Sequence, residues 1–254
     1  MNCDWDFTGQ NGIITGAASG IGAALSKLLA ASGAGLTLVD RDSNGLVAID
    51  RACRVLGSGK TLAIDADVSD PDQIRNMLEQ SVGYHGKIDF LVTSAGILYR
   101  SAFTQIALDE WDEVMASNVR GVFLCNQGVV TEMLKTGGGR IVNISSVAGR
   151  SISLIGGAHY CTSKHAVIGM TRHMARELCQ QGIRANAFCP GATNTPMIHD
   201  NMSKKEVEGL KQRIALGRLA EADEQARVVA FMLSDAASYM NGACLDSNGG
   251  SVML

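Results

Sequence analysis

The 254 residues are 46% hydrophobic and 19% charged, the composition of an ordinary globular chain long enough for one large core. A net charge of −3 with no cluster of Lys or Arg leaves nucleic acid and anionic membranes without an electrostatic footprint, and no apolar run reaches membrane-spanning length. Seven cysteines without a Cys-x-x-Cys pair read as reduced thiols, five histidines without a His-x-x-x-His pair give no metal signature, and the start Met1-Asn2-Cys3-Asp4 has no secretory pattern. The expectation is a cytoplasmic, metal-free protein acting on a small molecule.

In chain order, short β-branched or apolar runs predict strands at 12–15, 36–40, 61–64, 88–92, 140–144 and 183–188, with a seventh at 243–245. Between them, helical periodicity covers 21–32, 43–56, 71–84, 109–134, 158–181 and 224–233. The third of these opens with Asp70 before Pro71, a cap followed by proline in the first turn. Strand and helix in alternation predict an α/β domain, with a mostly parallel sheet of about seven strands covered by helices on both faces. No linker divides the chain, so residues 1–254 read as one domain. The segment 192–216 lacks a clean period; it reads either as a surface loop with a short helix or as a lid over a site at the strand ends, and the lid is the expectation.

Thr15-Gly16-Ala17-Ala18-Ser19-Gly20-Ile21-Gly22 joins the first strand to the first helix. Glycines there allow a tight turn and let backbone N–H groups reach a pyrophosphate at the positive end of the helix. The spacing departs from Gly-x-Gly-x-x-Gly, so a small-residue helix start is the competing interpretation. Asp40, at the end of the second strand, favours the nucleotide site: a carboxylate there can accept hydrogen bonds from adenosine ribose hydroxyls and would repel a 2′-phosphate. The expected cofactor is therefore NAD, with Arg41 the residue that could instead hold the phosphate of NADP.

Tyr160 and Lys164 lie four apart on a predicted helix, and Ser146 precedes them. At that spacing an ammonium can stabilise a phenolate, which turns a group with a pKa near ~10 into a usable acid and base.

With the glycine loop, Asp40, Ser146, Tyr160 and Lys164 in this order, the chain resembles the short-chain dehydrogenase/reductase family along nearly all of its length. Asp67-Val68, Ser94-Ala95-Gly96, Asn118, and Pro190-Gly191 followed by Thr195 also match. The resemblance implies a Rossmann-type doubly wound fold. It implies catalytic roles for Asn118, Ser146, Tyr160 and Lys164. Cofactor contacts are implied for Gly16, Ser19, Gly20, Ile21, Gly22, Asp40, Arg41, Asp67, Val68, Ala95, Gly96, Tyr160, Lys164, Pro190, Gly191 and Thr195. By resemblance, Asp67 and Val68 border the adenine, Ala95 and Gly96 the adenosine-side ribose, and Thr195 the carboxamide, while Asn118 holds a relay water. Capping for Asp67, a helix bend for Asn118 and a turn for Thr195 are the structural alternatives.

Two departures stand out. Thr93-Ser94 replaces the usual Asn-Asn, and Ser146 and Tyr160 are one residue further apart than the commonest spacing, which places the insertion in the loop 149–157. Ser145 is the rival to Ser146. Candidate pocket residues are Leu98, Val147, Arg150, Ile152, His159, Ala192, Met197, Ile198 and Met202. They point to an apolar, cyclic or diol-type secondary alcohol and its ketone, with Arg150 and His159 keeping a 3-oxoacyl thioester open. A non-catalytic NAD-binding regulatory protein is the alternative from another class, and an epimerase or lyase with resident NAD is a further one. Apolar or small residues beyond one helix stripe (Val114, Val119, Phe123, Ala166, Gly169, Met170, Met174) together with the resemblance imply a homotetramer.

Overall fold

In the computed structural model, which describes residues 5–57 and 60–253, the first strand already dictates three layers. Within β1 (Asn11–Thr15), Ile13 and Ile14 are both buried, yet neighbouring side chains of a strand point to opposite faces. Such a strand needs cover on both sides, which a parallel sheet flanked by helices supplies.

The other strands are β2 (Gly35–Asp40), β3 (Thr61–Asp65), β4 (Phe90–Thr93), β5 (Gly139–Ile144), β6 (Ile183–Pro190), the short pair β7 (Thr193–Asn194) and β8 (Ala220–Glu221), and β9 (Cys244–Ser247). The main sheet is parallel with order β3-β2-β1-β4-β5-β6-β9, so the chain winds outward in both directions from β1 and β4. Helices α1 (Gly20–Ala31), α2 (Ser43–Leu56) and α9 (Ala222–Leu233) cover one face, where Ile14, Leu38, Val92 and Phe188 pack with Leu25, Leu46 and Val229. Helices α3 (Pro71–His85), α5 (Val122–Thr136) and α6 (Ala158–Leu178) cover the other, where Ile13, Val39 and Leu91 meet Met77, Val129 and Ala175. As the sequence predicts, Asp70 caps α3, accepting from the N–H groups of Asp72 and Gln73 with Pro71 in the first turn.

The single helix predicted over 109–134 is two helices, α4 (Leu108–Met115) and α5, joined by one π turn at Ala116–Gly121. Tertiary contacts impose that turn. Asn118 is buried with its amide bonded to both backbone groups of Ile97, and a Cβ on Gly121 would lie 2.8 Å from Val68 Cγ2. Segment 192–216 holds β7 and two short helices, α7 (Pro196–His199) and α8 (Lys204–Lys211). A small cluster of its own, including Ile198, Val207, Leu210 and Ile214, holds it together, and Ser203 with Glu206 closes a capping box on α8.

At the Thr93-Ser94 departure, Thr93 donates to Asn143 Oδ1 (2.8 Å) and braces β4 against β5. Asn126 Nδ2 donates to the same oxygen and Asn143 Nδ2 to Thr171, so hydroxyls and amides together form a buried network between sheet and helices.

Candidate active site

At the carboxyl ends of β1 and β4, where the winding reverses, lies a cavity of about 660 Å³. The glycine loop forms one end. Gly16 and Gly20 have φ of +67° and +54°, and a Cβ on Gly16 would come within 2.6 Å of the Ala95 nitrogen. Ser19 precedes α1 without a side-chain cap, and the first turn carries no acidic residue, so its free N–H groups suit an anion. Asp40 closes this end, accepting from Ala18 N–H (2.9 Å) and Asp42 N–H (3.0 Å). A carboxylate has about four acceptor positions, so capacity remains for ribose hydroxyls. Glycine cradle, free helix N–H groups and acidic strand end fit a dinucleotide.

The other end holds Ser146, Tyr160 and Lys164. Helix α6 carries Tyr160 and Lys164 one turn apart, both buried, with Nζ 5.7 Å from the ring centroid. Burial pushes the phenol pKa up, opposed by the neighbouring Ser146 hydroxyl. Burial also pulls Lys164 down to about 8, with its ammonium donating to the Ile144 carbonyl (3.0 Å). Desolvation is thus the largest influence on both groups and works against the phenolate that the Tyr-Lys spacing implies. Ser145 donates its hydroxyl to the Lys164 carbonyl (2.8 Å) and so helps anchor α6, while the Ser146 oxygen accepts from Ala148 N–H and lies beside the phenol.

A scan of known families matches residues 16–251 to a model described as enoyl-(acyl carrier protein) reductase. The 3-oxoacyl-(acyl-carrier-protein) reductase of Thermotoga maritima is 39% identical over 241 residues, covering 95% of this chain and 97% of the relative. D-threitol dehydrogenase of Mycolicibacterium smegmatis is 36% identical over 253 residues, covering 98% and 96%. The crystal structure of levodione reductase superposes with a TM-score of 0.92 at 39% identity, covering 96% of this chain and 98% of that one. A short-chain type dehydrogenase/reductase from Mycobacterium marinum also superposes at 0.92, with 35% identity and coverage of 97% and 96%. The chain belongs to the short-chain dehydrogenase/reductase family. It is an oxidoreductase of that family.

In this short-chain dehydrogenase/reductase, all the sequence-predicted site residues except Gly22 and Asn118 line the cavity. Gly22 lies behind the loop, where a Cβ would meet the Gly16 carbonyl oxygen at 2.1 Å, so it permits close packing of helix on loop. Asn118 is fully buried; both amide hydrogens are used, on the Ile97 carbonyl (2.9 Å) and Ser163 Oγ (3.1 Å), and Oδ1 accepts from Ile97 N–H. A Cβ on Gly96 would lie 3.1 Å from Asn118 Oδ1 and 3.5 Å from Lys164 Nζ, so this glycine keeps the space between them open. Among the described residues no group of three or more His, Cys, Asp or Glu is placed to hold a metal, and no helix is long and apolar enough to cross a membrane.

Of the predicted substrate contacts, Leu98, Val147, Ala192, Met197 and Ile198 line the cavity. The other four lie elsewhere. Arg150 pairs with Asp246 on β9 (3.2 Å), Ile152 is 69% exposed, His159 is buried against Glu110 of α4, and Met202 packs on the cluster of segment 192–216. Sequence reasoning missed Tyr99, Ser153, Leu154, Asn201 and Ser251 in the lining. Tyr99 adjoins Leu98 and could have been found; Ser251 arrives from the end of the chain with no local signal. Ser153 accepts from Gly156 N–H (2.7 Å), and residues 153–155 of the loop 149–157 form cavity wall.

Proposed function

We propose that the protein is an NAD-dependent oxidoreductase that interconverts a secondary alcohol, apolar, cyclic or diol-type, and its ketone. The observation that carries this reading is the presence of Ser146, Tyr160 and Lys164 in the same cavity as the glycine loop and Asp40. Gly16, Ser19, Gly20 and Ile21 would hold the pyrophosphate, Asp40 the adenosine ribose, and Asp67, Val68, Ala95, Gly96, Pro190, Gly191 and Thr195 the remainder, with Arg41 at the rim. The dinucleotide supplies the acceptor for the hydride that leaves the carbinol carbon. Tyr160, as phenolate, takes the hydroxyl proton, and in the reverse direction it returns a proton to the carbonyl oxygen. Ser146 hydrogen-bonds that oxygen as charge develops on it. Lys164 supplies positive charge favouring the phenolate and joins the route by which the proton leaves. Asn118 braces the loop after β4, and its Oδ1, beside Gly96, would accept from the relay water.

Lining by Leu98, Leu154, Ile155 and Met197, with a few hydroxyl and amide groups and the Asp200 carboxylate, supports a substrate that is not anionic. The thioester alternative rested on Arg150 and His159, and both are committed to carboxylates outside the cavity. The 3-oxoacyl reductase among the relatives keeps that alternative in the test, and the combined presence of Ser146, Tyr160 and Lys164 weighs against a regulatory protein. We also assign the segment 192–216 as the substrate lid, the cytoplasm as the site of action, and a homotetramer as the assembly.

A panel of alcohols, ketones and a 3-oxoacyl thioester with NAD(H) and NADP(H), followed by near-ultraviolet absorbance, tests reaction, cofactor and substrate class together. Turnover of diols or cyclic alcohols with NAD is expected; activity with the thioester and NADPH alone would replace this reading. Tyr160→Phe should lose at least ~100-fold in kcat, the lower bound typical of a general acid and base, while still binding NADH.

A further inference from the structure

The first turn of α6 carries the phenol, and its capping is unusual. The N-cap, Gly157, has no side chain, so the N–H groups of residues 158–160 begin without partners inside the helix. His159 Nδ1 accepts the Tyr160 N–H at 2.9 Å, and His159 Nε2 lies 2.7 Å from Glu110 Oε1 in the first turn of α4. Since Nδ1 is the acceptor, the ring hydrogen is on Nε2 and is donated to Glu110. The other carboxylate oxygen of Glu110 accepts from Ser101 Oγ (2.8 Å). The imidazole is completely buried, and its ring lies 6.3 Å from that of Tyr99, which lines the cavity.

From this chain of contacts we infer that His159 is a positioning residue for the acid-base phenol: with its tautomer set by Glu110, it fixes the Tyr160 backbone and so the approach of the hydroxyl to Ser146. The inference rests on the proposed role of Tyr160. Catalytic geometry is sensitive to displacements of about 1 Å, so a side chain that clamps the backbone of the reacting residue acts on kcat rather than on cofactor affinity.

Two substitutions separate the two bonds of the ring. His159→Asn keeps an acceptor near the Nδ1 position and loses the reach to Glu110. His159→Gln keeps the reach and loses the acceptor. With meso-2,3-butanediol as probe alcohol and NAD, His159→Gln should lose roughly tenfold or more in kcat with NADH affinity unchanged, and His159→Asn should stay within about threefold. The protein has four tyrosines and five histidines, so nitrogen-15 labelling of each type resolves the site without turnover. The His159 ring should show the Nε2–H tautomer, and the Tyr160 amide should exchange faster with solvent in His159→Gln than in His159→Asn.

Full kcat in His159→Gln, or loss of kcat in both variants in step with their melting temperatures, would overturn the proposal in favour of a purely structural pair. Equal amide exchange in the two variants would overturn it as well, whether or not the probe alcohol is turned over. Tyr160→Phe in the same series keeps the two failures apart. If that variant retains turnover, the role of Tyr160 falls, while the amide and tautomer signals still report whether the clamp exists.

Discussion

Lys164 is an ammonium taken out of water with the Ile144 carbonyl to donate to, and the cost appears in its pKa of about 8 against 10.5 for the ordinary group. Below pH 8 the folded and unfolded chains both hold the proton, and the burial penalty is fully present. Between about 8 and 10.5 the unfolded chain keeps the proton while the folded one releases it, so the unfolded state binds more protons and stability rises with pH. Tyr160, whose pKa is raised, acts oppositely but only above its ordinary value of 10. Between pH 8 and 10 the unliganded protein should therefore gain about 2 kcal/mol relative to Lys164→Met, since each tenfold difference in proton affinity between the two states is worth ~1.36 kcal/mol. Denaturant titrations of both proteins across this range check the difference, and parallel curves would remove Lys164 as its source. The triad itself was legible because a hydroxyl, a phenol and an amine at set spacing form a chemical pattern in the chain. Arg150 and His159 were misplaced because Asp246 and Glu110, which pull them from the cavity, are distant in sequence and carry no motif.

Among the elements, the sheet could be read from sequence because each strand is a short apolar run, and burial on two faces leaves such runs one architecture. The π turn was legible only as the alternative of a helix bend at Asn118. Its period differs from that of α4 and α5 for only six residues, and its cause is Asn118 bonding to Ile97 across the tertiary structure. The same limit left segment 192–216 with at most one short helix in the sequence reading, where α7 and α8 form because their apolar residues pack on a local cluster instead of the sheet. Predicted and observed features meet in the network that replaces the usual asparagines. Asn143 is fully buried and binds Thr93, Asn126 and Thr171; Asn126 and Thr171 have second bonds, to the Val122 and Val167 carbonyls, whereas Thr93 depends on Asn143. Asn143→Leu should cost about 1–3 kcal/mol, the range for leaving a buried polar group unpaired. Adding Thr93→Val should recover roughly 1 kcal/mol by removing the stranded hydroxyl. Denaturation midpoints that fall further in the double variant would show that Thr93 is not held through Asn143.

The proposed homotetramer must find its contact surface on what the protomer leaves uncovered. Val114 is fully buried in the core and cannot contribute, contrary to its inclusion among the sequence candidates. Phe123 on α5 remains 46% exposed, and Ala166, Met170 and Met174 on α6 are partly exposed around Gly169, which is exposed. A Cβ on Gly169 would meet no atom within 4 Å, so the protomer alone gives no reason for glycine there. In a monomer, replacing this helical glycine with a residue of higher helix propensity should stabilise by about 0.5–1 kcal/mol. In a tetramer built on this face the sign reverses, because a long charged side chain would be driven into a close helix contact and stranded without a partner. Gly169→Lys is therefore expected to sediment as a smaller species than the wild-type protein, with unchanged circular dichroism and a lower melting temperature. A wild-type protein that sediments as a monomer would refute the assembly, and a Gly169→Lys protein that remains tetrameric would move its interface off α6. Such a loss of subunits would reach the cavity as well, because Tyr160 and Lys164 lie on the same helix, on the face turned toward the cavity.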